Sequence, residues 1–214
     1  SLNHASFVVG KKLKIKWVDS DSVNDESASE IFSDCSGIIL PGGFGNRGIE
    51  GMISSCKYAR LHNIPYFGIC LGMQIAVIEF ARDVLNLKNA NSTEFDEQCE
   101  NPVIDLMKDQ EGVIKGGTMR LGKYPCRVKS GTIMQKAYGA VTIEERHRHR
   151  YEFNNNFRSK MEEAGLIIGG TSPDDSIVET VELPQKDSAI SHKFFIGVQF
   201  HPEFKSRPNR PHPL

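Results

Sequence analysis

Three features that this sequence lacks narrow what kind of protein it is. No apolar run approaches the length of a membrane span, and no charged-then-apolar start is typical of a signal peptide, so no membrane partner is expected. The formal net charge of −1 provides no excess of positive charge with which to bind nucleic acid. The five cysteines are odd in number and lack paired spacing, which favours free thiols in a reducing compartment over a disulfide framework. We therefore expect a cytoplasmic protein.

The two ends of the chain indicate a piece of a longer protein. The sequence begins at Ser1 without an initiator methionine and closes on a Pro-rich tail over 205–214. Its 214 residues suffice for one α/β domain with a sizeable core, and hardly for two. We expect a single domain over 1–214, with its functional core at about 13–204.

The hydrophobic pattern predicts alternating strands and helices in the first part of the chain. The expected elements are strands at 13–18, within 35–45 and at 64–70, and helices at 49–62 and 71–85. Short alternation of this kind is typical of a mostly parallel, doubly wound central sheet flanked by helices. Past residue 90, short apolar runs separated by Gly, Asn and charged residues predict additional β segments, with one helix near 154–164.

A cysteine stands directly after the second buried strand, in Gly68-Ile69-Cys70-Leu71-Gly72. A small-x-nucleophile-x-small pattern between a strand and a helix is typical of a nucleophile elbow, in which a strained turn holds the nucleophile above the sheet. The helix N-terminus there favours a thiolate, and the Leu71 backbone N–H is free to bond a developing oxyanion. The alternative is an inert, packed core cysteine. This stretch alone does not decide between the two.

A cysteine nucleophile needs a base, and the base needs an orienting partner. Far downstream, His201 follows an apolar strand and Glu203 stands two residues further on. The segment 41–45, PGGFG, is either a tight turn or an oxyanion hole in which the N–H groups of Gly43 and Leu71 converge. All these candidates stand at the carboxyl ends of strands, where the active sites of parallel sheets gather. Their agreement favours the catalytic interpretation.

The motifs PGGFG, GICLGMQ and FHPEF together resemble those of class-I glutamine amidotransferases. GGTMRLG and RHRHRYE narrow the resemblance to the glutaminase domains of CTP synthases, and the matching blocks cover nearly the whole chain. The resemblance implies a Rossmann-like fold and a catalytic triad of Cys70, His201 and Glu203. It also implies an oxyanion hole made by Gly43 and Leu71. The implied reaction is hydrolysis of L-glutamine to glutamate and ammonia through a Cys-glutamyl thioester.

The resemblance also assigns residues that would bind glutamine. Glu94 would pair with the α-ammonium group, and Arg150 would hold the α-carboxylate, a task that suits a planar guanidinium. The other implied contacts are Gly43, Phe44, Leu71 and Gln74. The residues alone also allow other interpretations: Glu94 could be a solvated surface acid, and ERHRHR could be a surface charge run or a phosphate-binding patch. His147 and His149 have the spacing of half a metal site, but no Cys or carboxylate cluster completes it, so no metal is expected.

The resemblance implies a larger enzyme around this domain. In that family the ammonia passes to an amino-terminal synthetase domain, absent from this sequence, which uses ATP and Mg²⁺ to convert UTP to CTP. GTP is the activator, and GGTMRLG resembles the lid that responds to it. The full-length enzyme is expected to be a homo-oligomer, a tetramer. Two other functions stay open: an amidotransferase domain of another pathway, and a catalytically silent glutamine-binding or assembly domain.

Overall fold

The computed structural model describes residues 1–106 and 119–214. The strands of the described residues are β1 (Ile38–Leu40), β2 (Tyr66–Ile69), β3 (Ala90–Ser92), β4 (Asn101–Leu106), β5 (Arg120–Val128), β6 (Thr142–His149), β7 (Tyr151–Phe153), β8 (Ile167–Thr171), β9 (Val178–Glu182) and β10 (Phe195–Val198). The helices are α1 (Leu2–Val9), α2 (Ala28–Phe32), α3 (Ile49–Leu61), α4 (Leu71–Asp83), α5 (Ile133–Tyr138) and α6 (Arg158–Glu163).

The central sheet has seven strands in the order β1-β2-β10-β9-β8-β5-β6. The expected α/β sheet with flanking helices is confirmed, but its expected mostly parallel character is wrong. Only β1, β2 and β10 run parallel, and every later pairing in the sheet is antiparallel. The connections explain the difference. A parallel pair needs a long crossover, which α3 provides between β1 and β2, whereas residues 172–177 between β8 and β9 are too few for one.

Helix α4 lies against the sheet and is buried on all its faces. Every residue from Leu71 to Ala81 is buried, because the helix packs against α3, β2 and β10 on one side and against the smaller sheet β3-β4-β7 on another. Gly197 of β10 allows this close approach, since a Cβ there would lie 3.0 Å from Met73. The junction of β2 and α4, where Cys70 stands, is thereby fixed in the core.

The other expected helices agree with the structure. The helices expected at 49–62 and 71–85 are confirmed as α3 and α4, and the one near 154–164 is a 3-10 turn at Asn155–Phe157 followed by α6. In the ranges that the structure describes, no helix combines the length and the apolar character needed to cross a membrane.

The strand expected at 13–18 is wrong. Residues 11–19 form no strand, and the side chains of Leu13, Ile15 and Trp17 are 39%, 43% and 88% exposed. An alternating pattern becomes a strand only where a neighbouring strand takes up its backbone hydrogen bonds. Within the described chain, this segment has no such neighbour.

The Pro-rich tail is held against β6 by a buried acid. Glu145 is fully buried, and its Oε1 accepts hydrogen bonds from the Tyr138 hydroxyl at 2.9 Å, Lys205 Nζ at 3.0 Å and His212 Nε2 at 3.2 Å. Burial opposes ionisation of Glu145, but the hydrogen bonds from His212 and Lys205 outweigh it and hold the pKa of this carboxyl below its usual value. The tail is therefore anchored by a charge inside the protein.

Replacing His212 with alanine is expected to lower the free energy of unfolding by about 1–3 kcal/mol, because a buried carboxylate loses one of its donors. The loss should shrink in acid. A carboxyl whose folded-state pKa is lowered stabilises the fold above its unfolded pKa, and that contribution disappears as the pH falls through the folded-state value. Urea unfolding at about pH 7 and about pH 4 measures both effects. Asn209→Ala, in the exposed part of the tail, is the control, and an equal loss at both pH values would contradict a role for the charge of Glu145.

Candidate active site

Cys70 lies between β2 and α4 with φ 52° and ψ −101°, a backbone conformation that residues other than glycine rarely adopt. Glycines on both sides make this turn possible. A Cβ on Gly68 would lie 2.5 Å from the carbonyl group of Gly72, and a Cβ on Gly72 would lie 2.2 Å from the carbonyl oxygen of Leu40. Both contacts are with backbone that cannot move aside. The strand, the turn and the helix pack this closely only because both positions are glycine.

The sulfur of Cys70 contacts three polar groups, one of which is the Leu71 N–H. The S–H donates to the Arg148 carbonyl oxygen at 3.8 Å, and Nε2 of the buried Gln199 lies 3.5 Å from Sγ. Burial raises the pKa of the Cys70 thiol to about 12, and the nearby carboxylates of Glu94 and Glu203 add to the rise. The Leu71 N–H at the helix N-terminus lowers this pKa, as expected, but loss of hydration outweighs it, so the expected thiolate is not the favoured form in this structure.

His201 and Glu203 stand in the turn that follows β10. Nδ1 of His201 lies 2.6 Å from Oε1 of Glu203. Since a carboxylate only accepts, Nδ1 carries the proton, and in the neutral ring Nε2 is then an available base. Nε2 is buried and has no hydrogen-bond partner among the described residues. Burial opposes ionisation of Glu203, but the hydrogen bond from His201 outweighs it and keeps the pKa of Glu203 below its usual value.

Gly42 lies between Cys70 and His201, the expected nucleophile and base. A Cβ on Gly42 would lie 2.7 Å from Cε1 of His201 and 3.5 Å from Cβ of Cys70. The fold thus brings together two side chains that are far apart in the sequence. Sequence analysis selected Gly43 of the segment 41–45 and missed Gly42, although the glycine pair was a signal that a close approach occurs there.

The two expected oxyanion donors are neighbours. A Cβ on Gly43 would lie 3.0 Å from Cδ2 of Leu71. The Gly43 N–H donates to no backbone acceptor in the described part of the chain. Leu71 is the first residue of α4, where an N–H has no intrahelical acceptor. The Gly43 N–H is therefore available for an oxygen beside the sulfur, and the Leu71 N–H, which here donates to the sulfur itself, lies next to the same position.

A pocket opens beside Cys70. The expected site residues in its lining are Gly43, Phe44, Cys70, Gln74, Glu94 and Arg150. Its lining also contains three residues that sequence analysis did not select: Met119, His149 and Tyr151. Leu71, His201 and Glu203 are not among the residues of this lining.

The pocket lining includes the carboxylate of Glu94 and the guanidinium of Arg150. Oε1 of Glu94 accepts a hydrogen bond from the Gly45 N–H at 3.0 Å. Nε of Arg150 is buried and has no hydrogen-bond partner within residues 1–106 and 119–214. A carboxylate and a guanidinium lining the same small pocket complement a ligand that carries both an ammonium and a carboxylate group.

The two histidines of the basic run are buried, and one of them, His149, lines the pocket. Nδ1 of His147 lies 3.2 Å from Nε2 of His149, and Nδ1 of His149 donates to the Tyr151 carbonyl at 3.1 Å. Beside them, Arg120 donates to Glu179 at 2.6 Å. Burial and then the Arg120 charge lower the pKa of His147 to about 2 and of His149 to about 3. Sequence analysis had left a solvated charge run as an alternative, and for these two residues it is wrong.

The expected GTP-responsive segment GGTMRLG is described only in part. Residues 116–118 lie outside the described residues. Met119 lines the pocket, and Arg120 begins β5.

Comparisons with known proteins point the same way. The sequence matches the family described as glutamine amidotransferase class-I over residues 1–214. It is 54% identical to the CTP synthases of Staphylococcus aureus strains JH9 and Newman, in an alignment that covers 100% of this chain and 39% of each relative. The chain therefore spans well under half the length of these relatives.

Two solved structures show how far the likeness extends. The glutaminase domain of Trypanosoma brucei CTPS, with bound acivicin, has a TM-score of 0.89 and 39% identity, and the match covers 98% of this chain and 80% of that one. A glutamine amidotransferase from Thermotoga maritima has a TM-score of 0.50 and 14% identity, covering 91% and 61%, and shares the fold alone. The chain therefore belongs to the class-I glutamine amidotransferase family, and within it to the group of CTP synthase glutaminase domains.

Proposed function

We propose that this chain hydrolyses L-glutamine to glutamate and ammonia, and that it supplies the ammonia for CTP synthesis. The observation that carries the proposal is that Cys70, in its strained turn, and His201 both lie against Gly42. Cys70 also lines a pocket whose lining includes the carboxylate of Glu94 and the guanidinium of Arg150. The identity to CTP synthases along the whole chain favours this pathway over other amidotransferase pathways, with which the fold alone is shared.

The reaction follows from the roles of three side chains and two N–H groups. His201 Nε2 takes the proton of the Cys70 thiol, and the sulfur attacks the side-chain amide carbon of glutamine. The Gly43 and Leu71 N–H groups stabilise the oxyanion of the tetrahedral intermediate. His201 then protonates the leaving ammonia, and a glutamyl thioester remains on the sulfur.

Water completes the reaction through the same groups. His201 Nε2 accepts a proton from the attacking water, the C–S bond breaks, and glutamate leaves with Cys70 restored as a thiol. Throughout, Glu203 keeps the proton on Nδ1 and stabilises the imidazolium that forms. The raised pKa of Cys70 means that proton transfer to His201 belongs to the catalytic step and is not complete in the resting chain.

The pocket would hold glutamine by its charged end. Arg150, whose Nε is buried without a partner, suits the α-carboxylate, and Glu94 suits the α-ammonium group. Gln74 and the backbone near Phe44 would complete the contacts from the remaining sides. The relative that binds acivicin has its ligand in a domain of the same fold, which supports an amino-acid-sized ligand here.

The rest of the enzyme lies in the part of the relatives that this chain does not cover. We infer that a synthetase domain there consumes the ammonia, uses ATP and Mg²⁺, and responds to GTP, in a cytoplasmic homo-oligomer, a tetramer. Among the described residues, no group of three His, Cys, Asp or Glu side chains is placed to hold a metal ion.

Labelling with diazo-oxo-norleucine, a glutamine-mimicking affinity reagent, tests the pocket and the nucleophile together. We expect a single adduct on Cys70 by intact mass and peptide mapping, suppressed by excess glutamine and absent from Cys70→Ser. Glutamate release by Cys70→Ser should fall roughly a thousandfold or more. In the longer protein, the same variant should lose glutamine-dependent CTP formation and keep formation from added ammonia.

The matched control is Cys99→Ser, since Cys99 is a free, half-exposed thiol outside the pocket lining. It should label and turn over like the unmodified chain. Adducts spread over several cysteines, or no adduct at all, would overturn the proposal and leave a catalytically silent glutamine-binding domain as the better account.

A further inference from the structure

Two buried amide side chains connect a backbone carbonyl to the sulfur of Cys70. Nε2 of Gln74 lies 3.0 Å from the Tyr151 carbonyl oxygen and 3.3 Å from Oε1 of Gln199. Nε2 of Gln199 in turn lies 3.5 Å from Sγ of Cys70. Gln74 is 3% exposed and Gln199 fully buried. The chain of contacts therefore runs through the protein interior, where water does not compete for it.

The Tyr151 carbonyl fixes the direction of every hydrogen bond in this chain. A carbonyl oxygen only accepts, so the amide of Gln74 must point its NH₂ group towards Tyr151. The second hydrogen of that NH₂ group faces Gln199, which must then present its oxygen to Gln74. Only one end of the Gln199 amide is left, and it is the NH₂ end that faces Cys70.

The backbone of Gln199 is fixed as well. Its N–H donates to the carbonyl oxygen of Glu179 at 2.8 Å, directly after the end of β10. A flipped Gln199 amide would place its NH₂ group against that of Gln74 and its oxygen beside a sulfur whose hydrogen is donated to the Arg148 carbonyl, so both contacts would become unfavourable. The orientation is thus held from both sides.

We propose that Gln199 is a positioning residue for the nucleophile, whose N–H stabilises the Cys70 thiolate as it forms, and that Gln74 and the Tyr151 carbonyl set the orientation of that N–H. The proposal deepens the proposed function, since it concerns how the same sulfur is activated. An N–H donor gains strength when its acceptor becomes an anion, so the contact stabilises the thiolate more than the thiol.

The surroundings of the sulfur show why such a donor is needed. The charged or titratable groups that face Cys70 are Glu94, Glu203, His201, His149 and Arg150. Burial raises the pKa of Cys70 and both carboxylates add to the rise, while the Leu71 N–H opposes it and Gln199 adds to that opposition. A hydrogen bond to a charged partner corresponds to about a ten- to hundredfold change in an equilibrium.

The test compares Gln199→Met and Gln199→Glu by the rate at which N-ethylmaleimide modifies Cys70, followed by peptide mapping between about pH 6 and about pH 9. Gln199→Met has a similar volume and no donor, and we expect it to react about tenfold more slowly at every pH. Gln199→Glu should match Gln199→Met or exceed its rate where the introduced carboxyl is protonated and can donate. As that carboxyl ionises, the rate for Gln199→Glu should fall about tenfold further, to below the rate for Gln199→Met.

This pH-dependent difference between the two variants is a signature that loss of packing does not produce. N-ethylmaleimide reacts with Cys70 without glutamine, so this result does not depend on whether the chain is a glutaminase. A failure of diazo-oxo-norleucine labelling would count against the proposed function and not against the role of Gln199. Gln98→Glu, which adds the same charge at an exposed position, should react like the unmodified chain.

Rates within twofold of the unmodified chain for both variants would overturn the proposal, and so would equal losses at all pH values accompanied by a lower unfolding midpoint. If neither variant folds, Gln74→Met decides. It leaves Gln199 in place and frees its amide to flip, and an unchanged rate of Cys70 modification would then overturn the proposal.

Discussion

Replacing Gly42 with alanine is expected to reduce glutamine hydrolysis by about 10²–10³-fold and to leave the fold intact. The added methyl group would lie 2.7 Å from Cε1 of His201, closer than carbon atoms approach without a shift. The imidazole has to move, and its bond to Glu203 at 2.6 Å restricts where it can go. Either that bond or the approach to Cys70 is lost. A misplacement of about 1 Å in a catalytic group typically costs roughly a hundredfold in rate.

Glutamate release and the unfolding midpoint together measure this effect. Gly37→Ala is the matched control, because a Cβ on Gly37 meets its nearest neighbour at an ordinary 3.4 Å. We expect Gly37→Ala to keep both the activity and the stability. Activity of Gly42→Ala within about twofold of the unmodified chain would contradict the convergence of base and nucleophile at this point.

The elbow at Cys70 could be predicted from the sequence because its requirements are local. Gly68 and Gly72 stand two residues on either side of the cysteine, and a side chain on Gly68 would clash with the backbone of Gly72 itself. The role of Gly42 could not be predicted in the same way. Its contact with His201 exists only because β1, β2 and β10 pair side by side, which no short stretch of sequence specifies.

The wrong expectations share a physical cause. Periodicity reports which side chains can be buried, but not which strand supplies the hydrogen bonds, so 13–18 resembled a strand and the sheet appeared mostly parallel. The thiolate at Cys70 was expected from a local helix N-terminus. The burial that raises its pKa comes from distant segments, including the strand that carries Arg148.

The basic run at 145–150 shows the same limit. Its charges suggested a solvated face, whereas strand alternation in β6 turns His147 and His149 into the interior. There His147 contacts Arg120 of β5 and Glu179 of β9, residues that nothing in the sequence connects. A buried ion pair of this kind becomes visible only in three dimensions, and it has consequences for stability.

Replacing Arg120 with methionine is expected to cost about 3–5 kcal/mol of unfolding free energy at about pH 8 and little at about pH 5. Arg120 lies 2.6 Å from Glu179, and their side chains are 7% and 0% exposed. Burial raises the pKa of Glu179 to about 7, although Arg120 opposes the rise. The folded state therefore binds this proton more tightly than the unfolded state. The resulting stabilisation is complete below about pH 4.5, the usual value, and is lost as the pH rises through about 7.

Without Arg120 the pKa of Glu179 would rise further, so the effect of the substitution on stability should differ between the two pH values. At about pH 5 the carboxyl is protonated in both proteins, so the variant loses no ion pair and no longer buries a guanidinium. At about pH 8 the variant must either keep Glu179 protonated, although the solvent favours the ionised form, or bury an unpaired carboxylate. Urea unfolding at both pH values measures the difference.

Lys123→Met, which removes an exposed charge from the same strand, should change the free energy by about 0.5 kcal/mol or less at either pH. An equal loss at both pH values in Arg120→Met would mean that packing of the long side chain, and not its charge, is what Glu179 and the two histidines depend on.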